Sequence, residues 1–334
     1  MQLSQEQIAK FERDGYVFLP AVFTPEETRL LNAEAQRIYG LERQEVFREK
    51  DGRTARTAFA AHTFSEPFRR VAAHPRLVGP VEQLLGGQCY IHQFKINAKA
   101  AFDGDVWQWH QDYGTWSRDD LMPEPNAMNI ALFLDDVTEF NGPLMFIPGS
   151  HKQGVVEAGH DVQTTSYPLW TLDHATVRRL ADQGGLVAPK GPAGSVLMFH
   201  CNLVHASPGN VSPYDRSIVY VSLCEVTNHI RQFKRPEWIA HRDFTPIEPL
   251  ADDCLMELIR SPAAADPLAR RGGVKPFRPA QGARALMAAA GPAARPRRPF
   301  RRSGRQRGPS PSPWRPPQAR PAADRYAPKT RKRP

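Results

Sequence analysis

The sequence predicts a mainly β protein, a double-sheet jelly roll with helices at its N-terminal side. Three observations point there. The first 85 residues carry helix signals, the stretch from Cys89 to about Val226 is a series of short apolar runs cut by Gly, Pro, Asn and Asp, and the charge of the chain divides sharply near residue 261.

The helical part is read from its caps. Thr24-Pro25-Glu26-Glu27 offers an N-cap, a Pro at the first helical position and a Glu three residues after the cap. Leu30, Leu31, Ala35 and Ile38 then recur near helical spacing, and Gly40 marks a stop. A shorter helix is expected from Gln5 to Arg13, ending near Gly15. Another is expected from Pro67 to Leu85, interrupted at His74-Pro75 because Pro disfavours continuation. Thr171 to Gly184 reads as a helical insertion.

The strand-like runs are YIHQFKINAK, MNIALFLDD, GPLMFIPGS, GSVLMFHCN and SIVYVSLCEV. The first alternates, with Gln93, Lys95, Asn97 and Lys99 on one face. A solvated face and a polar barrel mouth both produce that pattern.

Residues 262–334 hold 19 Lys/Arg, 2 Asp/Glu and 15 Pro, which leaves 25 basic and 33 acidic residues for 1–261. An acidic folded domain over 1–260 is therefore joined to a basic Pro/Arg-rich tail over 261–334. The tail is expected to be disordered, because it lacks the apolar surface to offset chain entropy. Its charge offers weak, salt-dependent attraction to nucleic acid. Phe300, Trp314 and Tyr326 are too sparse for base stacking, and KTRKRP at 329–334 has the look of a nuclear-import run. No run of 18 apolar residues is present, and the start of the chain lacks a signal-peptide layout, so a cytoplasmic protein with no membrane span is expected. Cys89, Cys201, Cys224 and Cys254 form no CxxC pair, which excludes a zinc ribbon and a thioredoxin motif. No feature assigns an oligomeric state.

The chemistry concentrates in VWQWHQDYGTW. In an extended strand His110 and Asp112 share a face, so an imidazole and a carboxylate can converge on one ion. That is two thirds of a 2-His-1-carboxylate centre, which keeps positions open for a cosubstrate and oxygen. His205, in the turn-rich NLVHASPGN, is the best third ligand; His200 lies inside the apolar run instead. Arg216 opens the next strand and suits a bidentate carboxylate contact, the anchor that a 2-oxoacid chelated to Fe(II) requires at its far end. Trp107 and Trp109 are expected to pack in the core, whereas Trp116 lies beyond the ligands and can wall a small substrate. Arg118 is a candidate partner for a substrate carboxylate, or a surface residue paired with Asp119 or Asp120.

These residues resemble the phytanoyl-CoA dioxygenase family of Fe(II)/2-oxoglutarate oxygenases. The resemblance runs from about Leu3 to about Pro249 and rests on WHQD, NGPLMFIPGSHK, GPAGSVLMF and VHASPGN followed by Arg216. Within the family, EKDGRTAR, HPRLVGP, HQFKINAKA and GDVWQWHQDY are most similar to bacterial enzymes that hydroxylate free L-proline at C4; ectoine hydroxylases are similar at greater distance. The resemblance implies a double-stranded β-helix, cupin-like, with Fe(II) on His110, Asp112 and His205. It implies 2-oxoglutarate on Arg216 with help from Asn97, Ser207 and Asn129, and a small amino acid among Gln93, Tyr113 and Trp116. It further implies O2 as oxidant, ascorbate as reductant in vitro, and, since Asp112 fills the position that halogenases leave to chloride, hydroxylation. Residues 262–334 have no counterpart in it; a disordered extension and a GC-rich frame read past a frameshift both fit their composition. A catalytically silent jelly-roll metal binder is the alternative.

Overall fold

The computed structural model describes residues 1–164 and 167–261. The expected disordered tail, from residue 262 onward, lies outside the described residues.

Seven strands form one antiparallel sheet, in the spatial order Tyr16–Leu19, Val196–His200, Ala127–Phe133, Arg216–Glu225, Cys89–Lys99, Ala55–Phe59 and Val46–Arg48. A second sheet holds Trp107–His110, His205–Ser207 and Met145–Phe146. From Tyr16–Leu19 to Cys89–Lys99, and in the second sheet, neighbours in space are far apart in sequence, as in jelly rolls. The fold is thus mainly β with flanking helices, as expected.

Side-chain alternation gives the large sheet two apolar faces. Ala131, Phe133, Leu197, Phe199, Ile218 and Tyr220 pack on Leu144 and Phe146 of the second sheet's side. The alternate residues, among them Ile130, Leu132, Met198, Val219 and Val221, pack under Leu31, Ala35, Ile38, Phe68, Leu77 and Val81 of the helices. Both faces being covered explains why the strands read as continuous apolar runs rather than alternating ones.

The helices follow their sequence signals. Pro25–Tyr39 has a reciprocal capping box between Thr24 and Glu27, a feature contributing about 1 kcal/mol. Gln5–Asp14 has another between Ser4 and Gln7 and stops at Gly15 in the left-handed region. The break at His74-Pro75 divides Glu66–Ala72 from Pro75–Leu85, with Pro75 at a helix start and His74 as the cap. The insertion is the helix His174–Gly184.

Two local departures shape the site. A bulge in Cys89–Lys99 leaves His92 without a partner, as Ser222 pairs with Gln93 and Leu223 with Ile91. Tyr90 and His92 therefore reach the Trp116 side, while Phe94 and Ile96 stay with the helices. The strand expected through His110-Gln111-Asp112 ends at His110, and Asp112 opens a helix, Asp112–Asp119.

Candidate metal centre and adjoining cavity

His110 and His205 are direct cross-strand partners in the small sheet, with ring centroids 4.1 Å apart. Gln111 is extended, so Asp112 returns to the side of His110, while the Gln111 side chain points away and donates to the carbonyls of Gly154 and Asn202. The Asp112 carboxylate lies 3.7 Å from His110 Nε2 and 3.6 Å from His205 Nε2. One potential ligand atom from each of the three residues falls within 4.8 Å of the others, and all three side chains are buried.

The tautomers suit a metal. His110 Nδ1 donates to Gln108 O at 2.6 Å and His205 Nδ1 donates to Leu203 O at 2.9 Å, which directs both Nε2 lone pairs toward Asp112. Burial, then His110, pushes the His205 pKa down to about 3, so its imidazole is neutral at physiological pH. Burial opposes ionisation of Asp112, but Lys95 and the two histidines hold its carboxyl well below the usual range. Asn129 Nδ2 donates to Asp112 Oδ2 at 2.8 Å, and Asn129 Oδ1 accepts from Ser222 Oγ at 2.6 Å. This chain fixes the carboxylate from the central strands of the large sheet.

Arg216 is 1% exposed, and its Nε and Nη1 meet no hydrogen-bond acceptor. Burial pushes its pKa down from the ordinary guanidinium value. Arg216, Ile218, Tyr220 and Ser222 alternate onto the face toward the second sheet, and Tyr220 lines a narrow space with Lys95, Asn97, His110, Asp112 and His205. A buried guanidinium with unused donors on that face fits an anionic ligand. Ser207 also lines the space, its hydroxyl donating to Gly142 O at 3.0 Å. Gly142 is in the left-handed region, and a Cβ there would meet Pro208 O at 2.7 Å.

A larger cavity of about 290 Å³ shares Lys95, Trp107, His110 and Asp112 with that space. Its walls include Gln93, Thr115, Trp116, Asp119, Tyr167, Trp170, Arg235 and Ile239. Asp112, Thr115, Trp116 and Asp119 lie at i, i+3, i+4 and i+7 of one helix, the spacing of a single helical face. Another cavity of about 240 Å³, bordered by Gln36, Tyr39, Arg48 and Arg53, includes none of the three metal-site residues.

Gln93, Trp116 and Asn97, all expected site residues, line the two spaces. Gln93 faces the cavity, its Nε2 donating to Ile239 O at 3.0 Å. Trp116 walls the cavity with its ring edge-on to His92. Asn97 faces the narrow space and accepts from Thr57 Oγ1 at 2.7 Å. The polar face of Cys89–Lys99 is thus a buried mouth rather than a solvated surface.

Other expected site residues lie outside that lining or have partners within the protein. Tyr113 is one step round the helix from Asp112, outside the cavity lining; its hydroxyl donates to the Pro123 carbonyl at 2.8 Å. Arg118 is likewise on another face. It donates to Gly114 O at 2.6 Å and Val156 O at 3.1 Å and stacks on Trp170, rather than pairing with Asp119 or Asp120. Asn129, expected beside the cosubstrate, is committed to Asp112 and Ser222. Trp107, expected in the core, is buried there and also borders the cavity, under the Arg56 guanidinium at 4.0 Å from its ring. Lys95, Asp119 and Arg235 were missed as site residues. Continuing the helical period from Asp112 would have found Asp119, but no local pattern marks Arg235.

Comparison with known proteins agrees with this geometry. The phytanoyl-CoA dioxygenase (PhyH) family model matches residues 11–218. L-proline trans-4-hydroxylase of Streptomyces griseoviridis is 37% identical over 256 residues, 74% of this chain and 96% of its own length. Ectoine dioxygenase of Bordetella parapertussis is 35% identical over 271 residues, 76% and 88% of the two chains. Crystal structures of EctD from S. alaskensis are 32% identical with a TM-score of 0.66. The one with bound Fe covers 74% of this chain and 87% of its own, and the one with 2-oxoglutarate and 5-hydroxyectoine covers 75% and 89%. From the family match and these relatives, the chain belongs to the phytanoyl-CoA dioxygenase family.

Proposed function

We propose that this protein is an Fe(II)- and 2-oxoglutarate-dependent hydroxylase of a small amino acid, with free L-proline at C4 the first candidate. The observation that carries the reading is the three-residue metal-donor set, together with a buried arginine with unused donors on the same strand face as Tyr220, which lines the space at that set. The two sheets are read as the walls of a double-stranded β-helix, with the centre in its mouth.

His110, Asp112 and His205 would hold iron through two neutral imidazoles and one carboxylate, a facial set suited to ferrous iron. Arg216 would hold the far carboxylate of 2-oxoglutarate, with Asn97 and Ser207 beside it. Bound together with O2, iron and 2-oxoglutarate supply the oxidation of an unactivated C–H bond, with release of succinate and CO2. The chain's own task is placement. Asn129 holds Asp112 in one orientation, and Lys95 adds positive charge where anionic cosubstrate groups gather.

The cavity's volume of about 290 Å³ suits a small solute and is too small for an acyl-CoA. Trp107, Trp116, Tyr167 and Trp170 give its wall aromatic surface. Arg235 uses Nε and Nη2 on Asp120, which leaves Nη1 for a substrate carboxylate, the part first given to Arg118. Gln93 and Trp116 would orient the ring. Ectoine is the second reading, favoured by the likeness to EctD from S. alaskensis with 5-hydroxyectoine.

The test is incubation with Fe(II), ascorbate and 2-oxoglutarate, with succinate and hydroxylated product measured with and without each candidate. Proline-dependent succinate matched by trans-4-hydroxyproline is expected. Ectoine-dependent succinate alone would move the assignment to the second reading. No succinate with any small acid, in protein that binds iron, would leave a silent metal binder.

A further inference from the structure

The cavity beside the metal centre carries a carboxylate that the proposed chemistry does not use. Asp112 and Asp119 are the acidic residues among those lining it, and Asp112 belongs to the metal-donor set. Among the described residues the Asp119 side chain receives a single hydrogen bond, from Trp170 Nε1 to Oδ2 at 3.2 Å. Its neighbour Asp120 is fully engaged by contrast, buried and paired with Arg235 beside His92.

Two charges of the cavity wall away from the metal-donor set, Asp119 and Arg235, are mounted on one unit. Gln232 Nε2 donates to the Asp119 carbonyl at 2.8 Å, and the backbone N–H groups of Arg231 and Gln232 donate to the Asp120 carbonyl at 3.0 and 2.8 Å. A cation at Arg235 and an anion at Asp119 are therefore held at fixed positions on the lining, with Trp116 and Ile239 supplying apolar surface. A solute with a carboxylate, a charged nitrogen and a few ring carbons complements such a wall; a fatty chain or a plain carboxylic acid does not.

We propose that Asp119 accepts the charged nitrogen of the substrate, which makes this cavity selective for small zwitterions. The inference rests on the hydroxylase reading and deepens it. It applies equally to L-proline and to ectoine, whose ring nitrogens are cationic beside a carboxylate. Asp119 is a recognition residue. It acts on substrate choice and leaves the C–H oxidation to the metal centre.

The experiment compares the accepted substrate with an isostere carrying a neutral ring atom in place of the charged nitrogen, tetrahydrofuran-2-carboxylate for L-proline. The full chain is assayed with Fe(II) and 2-oxoglutarate, following succinate and product. Wild type should prefer the zwitterion by at least on the order of a hundredfold in kcat/KM, because an isostere lacking the N–H groups leaves the carboxylate unpaired. D119N should reduce that preference to about tenfold or less, mainly through KM for the zwitterion, and D119E should restore it. Unchanged discrimination in an active D119N would overturn the inference alone. So would a wild-type enzyme that accepts both compounds equally, a result that does not depend on how the variants fold. Absence of succinate from iron-binding wild type with L-proline, ectoine and every other small acid tried would overturn the hydroxylase reading and the inference together.

Discussion

Replacing Arg216 by Met should have opposite effects on cosubstrate binding and on the stability of the ligand-free protein. Arg216 is almost fully buried, and Nε and Nη1 have no acceptor among the described residues. Hydrogen bonds to charged groups contribute roughly 1.5–3 kcal/mol each, so losing a bidentate carboxylate contact costs about 3–6 kcal/mol. At ~1.4 kcal/mol per tenfold, 2-oxoglutarate should bind R216M at least about a hundredfold more weakly. The same substitution removes a desolvated cation while keeping its aliphatic bulk, which relieves on the order of 1–3 kcal/mol in the ligand-free state. Ligand-free R216M should therefore melt at or a few degrees above wild type, at ~2–4 °C per kcal/mol for a domain of this size. The assay is thermal melting with Mn(II) under anaerobic conditions, with and without 2-oxoglutarate, alongside its KM in turnover. Wild type should gain Tm on adding 2-oxoglutarate and R216M should not. A lower ligand-free Tm in R216M, together with an unchanged 2-oxoglutarate KM, would refute the reasoning and make Arg216 a structural residue.

Other consequences can be measured alongside. Asn129→Ala removes the amide that orients Asp112, so metal affinity in a Co(II) or Mn(II) titration should fall about 10–100-fold without global unfolding. Gly142→Ala places a Cβ against Pro208 O in a left-handed backbone; urea unfolding should show a loss of about 1–3 kcal/mol. Acid should destabilise the fold early. Burial is the largest cause lowering the pKa of His62 to about 3 and of His74 and His241 to about 4, whereas the unfolded groups titrate near 6.5. The unfolded chain thus binds more protons below pH 6.5, and stability present above that pH is lost as pH falls toward 4, by up to about 1.4 kcal/mol per group per unit. Denaturant midpoints from pH 7 to pH 5 should decline, less steeply in His62→Phe.

The donor set was legible because HxD places two ligands on one side of an extended segment, and the third lay at the end of a later apolar strand. Arg216 was legible for a related reason: a lone Arg opening an apolar strand must serve something buried. The substrate wall was harder. The resemblance offered Tyr113 and residue type offered Arg118, but the helix that starts at Asp112 turns both away from the cavity lining and brings Thr115 and Asp119 round instead. The strand Ala55–Phe59 and Arg235 escaped because their places depend on long-range pairing, with Cys89–Lys99 and with Asp120. The hydrogen bond that Asn129 receives from Ser222 was not legible, because it depends on the register of Ala127–Phe133 against Arg216–Glu225. The tail's expected disorder concerns residues beyond those described.

The central claim is that one site brings Fe(II) and 2-oxoglutarate together. Anaerobic titration followed by visible absorption tests it most directly, because chelation of Fe(II) by a 2-oxoacid produces a charge-transfer band that neither component gives alone. Wild type should develop the band with one equivalent of Fe(II) and saturating 2-oxoglutarate, and His205→Ala should not. A band of equal intensity in His205→Ala, or none in wild type that binds iron, would contradict the account.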